Sequence, residues 1–271
     1  MTVKNPSIAV EAHNITVAYD RQPVLWEVDF EMPAGKLIGI IGPNGSGKTT
    51  LVKTLMGVLT PDSGYVEIFN EPLHEVRSKI AYVPQRESVD WDFPASVYDV
   101  VMMGRFSAKK LFQRPSKQDK LVVRQSIEKV GLTPFIRRQI GQLSGGQQQR
   151  VFLARSLAQE ADIYFMDEPF VGVDAATETA ILTLMLTMKD QGKTLIIVHH
   201  DLQTVSEYFD EVLLLNTRVI DYGPVETVLT DANLKAAYGG QLNVLSKVGE
   251  LMKQSEFPVR EKEFKNRTVK K

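Results

Sequence analysis

The sequence predicts an α/β fold: a mainly parallel sheet with helices on its faces, a small antiparallel β-subdomain at the N-terminus, and an α-helical subdomain inserted into the core. Three observations predict it. Short apolar runs at 36–41 (KLIGII), 163–166 (IYFM), 194–198 (TLIIV) and 212–215 (VLLL) are bounded by Gly, Asp or Pro and read as buried strands. Segments with helical periodicity separate these runs, and alternation of strand with helix is the pattern of a parallel sheet. The N-terminal part behaves differently, with apolar residues recurring about every second position.

Taken in order, IAVEAHNITVAYD and VLWEVDFEM supply the two-residue alternation of the antiparallel sheet. KLIGII is the first buried strand, and a helix over 49–56 follows it directly after a glycine-rich loop. From about Glu87 to Gly141 strand signals fade, while PASVYDVVMMGR and SKQDKLVVRQSIEKVGL carry helical ones, including a helix over 117–130. With the next helix, over 147–159, the inserted helical subdomain is expected to occupy about 87–155. Helices over 177–189 and 202–209 then alternate with the strands 163–166, 194–198 and 212–215. The main domain is expected over 7–245 and a charged tail over 246–271, where KQSEFPVREKEFKNRTVKK has the sparse apolar content of an exposed or disordered end. No internal repeat of useful period is present.

At 271 residues the chain is long enough for one large α/β domain or two small ones. A formal net charge of −1 and a pI near 6.5 leave no strong overall field toward nucleic acid or anionic lipid. Cysteine is absent, which removes disulfides, thiolate metal sites and cysteine nucleophiles together. The start, MTVKNPSIAVEAH, lacks the charged region and long apolar stretch of a signal peptide, and no run approaches the ~18 apolar residues of a spanning helix. Work at a membrane is therefore expected to need another subunit.

The glycine loop reads GPNGSGKTT: Gly42, Pro43, Asn44, Gly45, Ser46, Gly47, Lys48, Thr49 and Thr50. It fits the phosphate-binding pattern G-x-x-x-x-G-K-[ST], and a buried strand before it with a helix after it is the context that gives the pattern meaning. Glycines let backbone N–H groups approach phosphate oxygens, and the helix beginning near Lys48 adds its positive end. Lys48 is expected to reach the β- and γ-phosphates of ATP, and Thr49 to offer its hydroxyl to Mg²⁺. A P-loop nucleotide-hydrolase core is thus expected.

Asp167 and Glu168 follow the strand IYFM, at the carboxyl end where open α/β sheets place ligands. Adjacent acids point in different directions off a strand end, so Asp167 can face the metal while Glu168 acts as general base on the attacking water. Pro169 then ends the ladder. Further on, QLSGGQQQR places Ser144 as N-cap of a helix, with Gly145, Gly146 and Gln147 in its first turn and backbone N–H groups open to an anion.

GPNGSGKTT, LSGGQQQR and FMDEP, in that order and at these spacings, resemble the nucleotide-binding subunits of ATP-binding cassette (ABC) transporters over about Ile8 to Tyr222. The resemblance implies several further roles. Tyr19 matches the aromatic residue that stacks on adenine, and Gln85, in AYVPQR, matches the glutamine that senses Mg²⁺ and water. Asp174 matches a family aspartate, although Phe170 to Val173 depart from the usual Ser-Ala-Leu wording. His200, directly before Asp201, matches the switch histidine at the γ-phosphate, with His199 as the competing assignment. His13 and His74 match nothing and read as surface residues.

The resemblance also implies that two copies sandwich ATP between the phosphate loop of one and the signature turn of the other, so a homodimer of cassettes is expected. Integral membrane permease subunits and an extracytoplasmic solute-binding protein are the further partners, and the chain is expected as a peripheral ATPase at the cytoplasmic face of the membrane. The wording VPQR…VDWDFP…DVV…GR over 83–105 resembles importer cassettes for manganese, zinc or iron, with iron–siderophore or another small solute as the alternative cargo. On physical grounds alone, Trp91, Phe93 and Pro94 are either a docking surface or a local cluster under the helical insertion. Nucleic-acid-linked ABC ATPases carry coiled-coil or zinc-binding insertions, or two cassettes per chain; the absence of cysteine and of a heptad run between the motifs argues against that class and against a nucleic-acid partner.

Overall fold

The computed structural model describes residues 8–106 and 114–239, so the charged tail expected over 246–271 lies outside the described residues. The chain begins with a hairpin, β1 (Ile8–Tyr19) and β2 (Gln22–Pro33), turned by Asp20 and Arg21 in left-handed backbone conformations. β3 (Leu37–Ile41) leads through the glycine loop into α1 (Lys48–Leu55). β4 (Ser63–Ile68) and the two-residue β5 (Glu71–Pro72) complete an antiparallel four-stranded sheet in the order β2-β1-β4-β5. A one-turn helix, α2 (Leu73–Val76), then brings the chain to β6 (Ile80–Val83).

Between β6 and the next strand the described residues form three α-helices, α3 (Val97–Met103), α4 (Lys117–Lys129) and α5 (Gly145–Ala158). Each starts on a serine capping box: Ser96 with Asp99, Ser116 with Asp119, Ser144 with Gln147. Their apolar faces meet through Val97, Val101, Val123, Ile127 and Val151. Arg105 clamps the group, donating to Asp119 at 3.0 Å, to the Ala158 carbonyl at 2.7 Å and to Glu160 at 2.6 Å.

β7 (Ile163–Asp167), α6 (Ala175–Asp190), β8 (Thr194–Val198), α7 (Val205–Tyr208) and β9 (Glu211–Asn216) return the chain to the main sheet. β10 (Arg218–Pro224), α8 (Val225–Val228) and α9 (Asp231–Tyr238) close the described chain. The main sheet is six-stranded in the order β10-β9-β3-β8-β7-β6, parallel except for the edge pair β10–β9. The protein therefore has the expected P-loop α/β core with its N-terminal antiparallel sheet.

The apolar runs divide between two cores by the strand period of two. Ile38, Ile40, Phe165, Ile196 and Leu213 face a core shared with α1 and the N-terminal sheet. Leu37, Ile41, Met166, Ile197 and Leu214 face the other, which continues into the helical insertion. Burial on both faces is why these strands read as unbroken apolar runs rather than as alternation.

One predicted element is much shorter than its periodicity suggests. Helix is expected over 202–209, but α7 occupies only Val205–Tyr208. Asp201 accepts the Gln203 N–H at 2.9 Å, and the Thr204 hydroxyl contacts the Asp201 carbonyl and the His199 ring. These local side-chain bonds hold 201–204 as a turn and delay the helix.

Candidate functional site

The phosphate loop is shaped by close backbone approaches that exclude side chains. A Cβ on Gly42 would lie 2.0 Å from the Leu215 carbonyl oxygen, so only glycine fits between β3 and β9 there. Gly47, the N-cap of α1, has φ 98° and would clash with the Val24 carbonyl at 2.7 Å. Lys48 is buried inside the curl and donates to the Gly42 and Pro43 carbonyls, both at 2.8 Å. Burial pushes its pKa below the ordinary lysine range, against the pull of Glu168 and Asp167. Asn44 and Gly45 at the loop tip are exposed, Ser46 is buried beneath them, and Thr49 is exposed on the first turn of α1 with Thr50 beside it.

Asp167 is 2% exposed at the end of β7 and hydrogen-bonded to the Thr49 side chain. Burial raises its pKa, and the neighbouring Glu168 adds to the rise while Thr49 and Lys48 oppose it. A carboxylate and a hydroxyl at the mouth of a cationic loop form an all-oxygen donor set, the kind Mg²⁺ takes.

Glu168 adopts φ 51°, a left-handed conformation rare for a residue with a Cβ. Its N–H still bonds the Val198 carbonyl at 3.2 Å, one step past the β7–β8 ladder, so the strain falls at the strand end and aims the carboxylate sideways. One carboxylate oxygen accepts the Gln85 side-chain amide at 3.0 Å, and the other lies 3.9 Å from His200 Nδ1.

The two histidines have different environments. His200 is exposed beside Glu168, whereas His199 is 4% exposed, bonded through Nε2 to the Thr204 hydroxyl at 2.8 Å and ringed by Phe170, Tyr208 and Phe209. Burial, and then the adjacent His200, depress the His199 pKa, which favours a neutral ring. Lys48, Thr49, Asp167, Glu168, Gln85 and His200 thus gather around one mouth, and His199 belongs to the core.

The signature turn forms a second group. Ser144 Oγ accepts the Gln147 N–H at 3.4 Å, and the Gln147 side chain accepts the Ser144 N–H at 3.0 Å. A Cβ at Gly145 would come within 3.2 Å of the Arg86 guanidinium carbon, and one at Gly146 within 3.4 Å of Thr177. Asp174 is the N-cap of α6, accepting the Thr177 N–H at 2.9 Å and its hydroxyl at 3.0 Å, bonds that lower its pKa. Among the described residues no hydrogen bond or ion pair joins Ser144–Gln147 to the phosphate loop. Tyr19 is half-exposed at the end of β1.

Sequence reasoning missed Arg86, which links the two groups. It follows Gln85 directly, and its Nε donates to Gln148 Oε1 of α5 at 3.1 Å. The only signal was its position next to the glutamine. The open reading of Trp91 resolves toward a local cluster: its indole N–H donates to the Arg86 carbonyl at 2.9 Å, and its ring meets Phe152 edge-on at 5.4 Å. Phe93, two residues on, is exposed. A groove of about 410 Å³ runs beside β6, lined by Val58, Arg77, Tyr82, Met103 and Arg155 among others. Val58, Met103 and the nearby-in-sequence Phe106 are exposed apolar side chains. No helix among the described residues is long and apolar enough to cross a membrane.

Known proteins resemble this chain over most of its length. The family model described as "ABC transporter" matches residues 25–171. The zinc transport system ATP-binding protein TroB of Treponema pallidum is 56% identical over 235 residues, covering 87% of this chain and 88% of TroB. The manganese transport system ATP-binding protein MntB of Bacillus subtilis is 56% identical over 236 residues, 87% of this chain and 94% of MntB. Among solved structures, an ATP-binding cassette of an ABC transporter in its ADP conformation superposes with a TM-score of 0.72 at 26% identity, covering 86% of this chain and 99% of that one. A dimeric ATP-binding cassette in a post-hydrolysis state with ADP and Pi gives a TM-score of 0.70 at 26% identity, covering 80% of this chain and 98% of that one.

Proposed function

Because the chain belongs to the ABC transporter family, we propose that it is the ATP-hydrolysing subunit of an importer for a divalent metal ion, manganese or zinc. The hydrolysis of ATP to ADP and phosphate is the activity of this family. The observation that carries the catalytic reading is the placement of Glu168 between Gln85 and His200, next to a carboxylate bonded to Thr49 and a lysine seated in the phosphate loop.

In this reading the loop from Gly42 to Gly47 and Lys48 hold the β- and γ-phosphates, and Thr49, Asp167 and Gln85 would hold Mg²⁺, which would neutralise phosphate charge. Tyr19 offers its exposed ring to adenine. Glu168 takes a proton from the attacking water as the water oxygen bonds to the γ-phosphorus and the bond to the bridging oxygen breaks. His200 contacts the γ-phosphate oxygens. With two of its three ammonium protons on the Gly42 and Pro43 carbonyls, Lys48 keeps one for a phosphate oxygen.

Ser144, Gly145, Gly146, Gln147 and Asp174 stand apart from the phosphate loop of their own chain, which supports a site completed by a second copy. The dimeric cassette bound to ADP and Pi, similar in fold, supports a homodimer. The groove beside β6 adjoins the segment that carries Gln85 and mixes the exposed apolar side chains of Val58 and Met103 with Arg77 and Arg155, which supports docking of a membrane permease there, and hence a peripheral position at the cytoplasmic face of the membrane. A solute-binding protein on the far side completes the proposed importer.

The metal reading rests on TroB and MntB, 56% identical across 87% of the chain. A second reading, chelated iron, draws on YfeB of Yersinia pestis, named for chelated iron transport and 43% identical over 256 residues. Accumulation of manganese, zinc and iron in cells with and without the chain separates them. Loss of one metal, restored by the wild type and not by Lys48→Ala, supports the importer and names its cargo; unchanged levels of all three metals refute it.

A further inference from the structure

A group of metal-ligating side chains lies far in sequence from the nucleotide motifs, on the N-terminal sheet. Val10 and Ala12 of β1 point into the core, so Glu11 and His13 take the opposite face. Glu11 is directly opposite Glu67 of β4 and Glu31 of β2, which sets a row of carboxylates across adjacent strands. Like charges in direct cross-strand register destabilise a sheet. Among the described residues no Lys or Arg forms an ion pair with any of the three.

The donors are held in place. Glu11 has only 12% of its side chain exposed, and one of its oxygens accepts the Asn70 amide at 2.6 Å. Such an outer hydrogen bond orients a ligating carboxylate. The other oxygen lies 3.4 Å from His13 Nε2, and the His13 ring stacks on Tyr65 with centroids 4.7 Å apart. His13, expected at the surface, is thus half-buried and fixed, unlike the exposed His74. One ligand atom from each of Glu11, His13 and Glu67 lies within 4.8 Å of the others.

We propose that Glu11, His13 and Glu67 form a site for a divalent transition-metal ion on the N-terminal sheet, separate from the nucleotide site. One imidazole with carboxylates suits Mn²⁺, Fe²⁺ or Zn²⁺, while Mg²⁺ and Ca²⁺ prefer oxygen donors alone. Bonds of ~2.0–2.2 Å to nitrogen and oxygen require the Glu67 carboxylate to swing inward, a movement of rotamer size. The ion relieves the repulsion between Glu11 and Glu67 and ties β1 to β4. This site does not depend on which solute the transporter carries, because the isolated protein is the binder.

The test is calorimetric titration of the full-length, EDTA-stripped, nucleotide-free protein with MnCl₂ and separately ZnCl₂, in the wild type, His13→Gln, Glu67→Gln and Asp167→Asn. One equivalent should bind the wild type, Asp167→Asn should retain that binding, and either glutamine variant should weaken it by at least about tenfold. Equal binding in all four proteins, loss in Asp167→Asn alone, or no binding up to ~1 mM overturns the proposal. A second readout uses only the wild type: with four histidines in the chain the imidazole NMR region is sparse, and substoichiometric Mn²⁺ should broaden the His13 signals before the other three. Broadening that spares His13 overturns the proposal even if the variants fold poorly.

Discussion

The side-chain amide of Gln85 donates to the carboxylate of Glu168 across 3.0 Å, joining the segment after β6 to the end of β7. Gln85 leads into the helical insertion, and Glu168 faces the phosphate loop. The bond ties the orientation of the Glu168 carboxylate to the segment that leads into the helical insertion, and leaves the other oxygen free to accept a proton.

Replacing Glu168 with Gln should keep the Gln85 contact and nucleotide binding while removing the proton acceptor. Phosphate release should fall by about 10²–10⁴-fold. Size-exclusion chromatography with MgATP should show a stable dimer, and normal turnover in this variant would remove Glu168 from the role of base.

Asp167→Asn should separate stability from activity. Burial raises the Asp167 pKa, so the folded protein binds more protons than the unfolded chain from the ordinary carboxylate range upward, and stability falls as pH rises through that window. At neutral pH the buried charge is a net cost. The variant should melt about 2–4 °C higher without nucleotide, the shift that about 1 kcal/mol produces in a domain of this size, yet lose Mg²⁺-dependent hydrolysis. A lower melting temperature by differential scanning fluorimetry would show that the Thr49 bond outweighs desolvation.

His199 and His200 should respond in opposite ways to alanine. His200→Ala should leave the melting temperature within error and reduce hydrolysis, because the ring is exposed beside Glu168. His199→Ala leaves a hole among Phe170, Tyr208 and Phe209 and removes the ring's bond to the Thr204 hydroxyl, and should cost about 1–3 kcal/mol in urea unfolding. The reverse pattern would exchange their roles.

Arg105→Ala should loosen the helical insertion. The guanidinium is 13% exposed, and truncation removes its bonds to Asp119 and to the Ala158 carbonyl together. Losing charge-assisted bonds of this kind costs about 1.5–3 kcal/mol. Hydrogen exchange should quicken in α3 and α4 while β3 and β8 keep their protection; uniform protection across the protein would refute the clamp.

The sequence by itself determined the parallel core and the catalytic motifs. Unbroken apolar runs such as TLIIV fit only strands buried on both faces, and GPNGSGKTT between a strand and a helix specifies a phosphate-binding loop, with Gly45 and Gly47 in left-handed backbone. The Ser144–Gln147 capping box is equally local. The tertiary structure decided what depends on neighbours distant in the chain. β6 and the edge strand β10 are too short or too weakly patterned to announce themselves, and exist because β7 and β9 offer free edges. His199 and His200 are adjacent and chemically identical, and only the packing of Phe170, Tyr208 and Phe209 buries one while Glu168 receives the other. Arg86 and Trp91 acquire their roles across 62 residues of chain separation from Gln148 and through the Phe152 ring. Motifs encode local backbone and chemistry, whereas burial and long-range hydrogen bonds are properties of the folded whole.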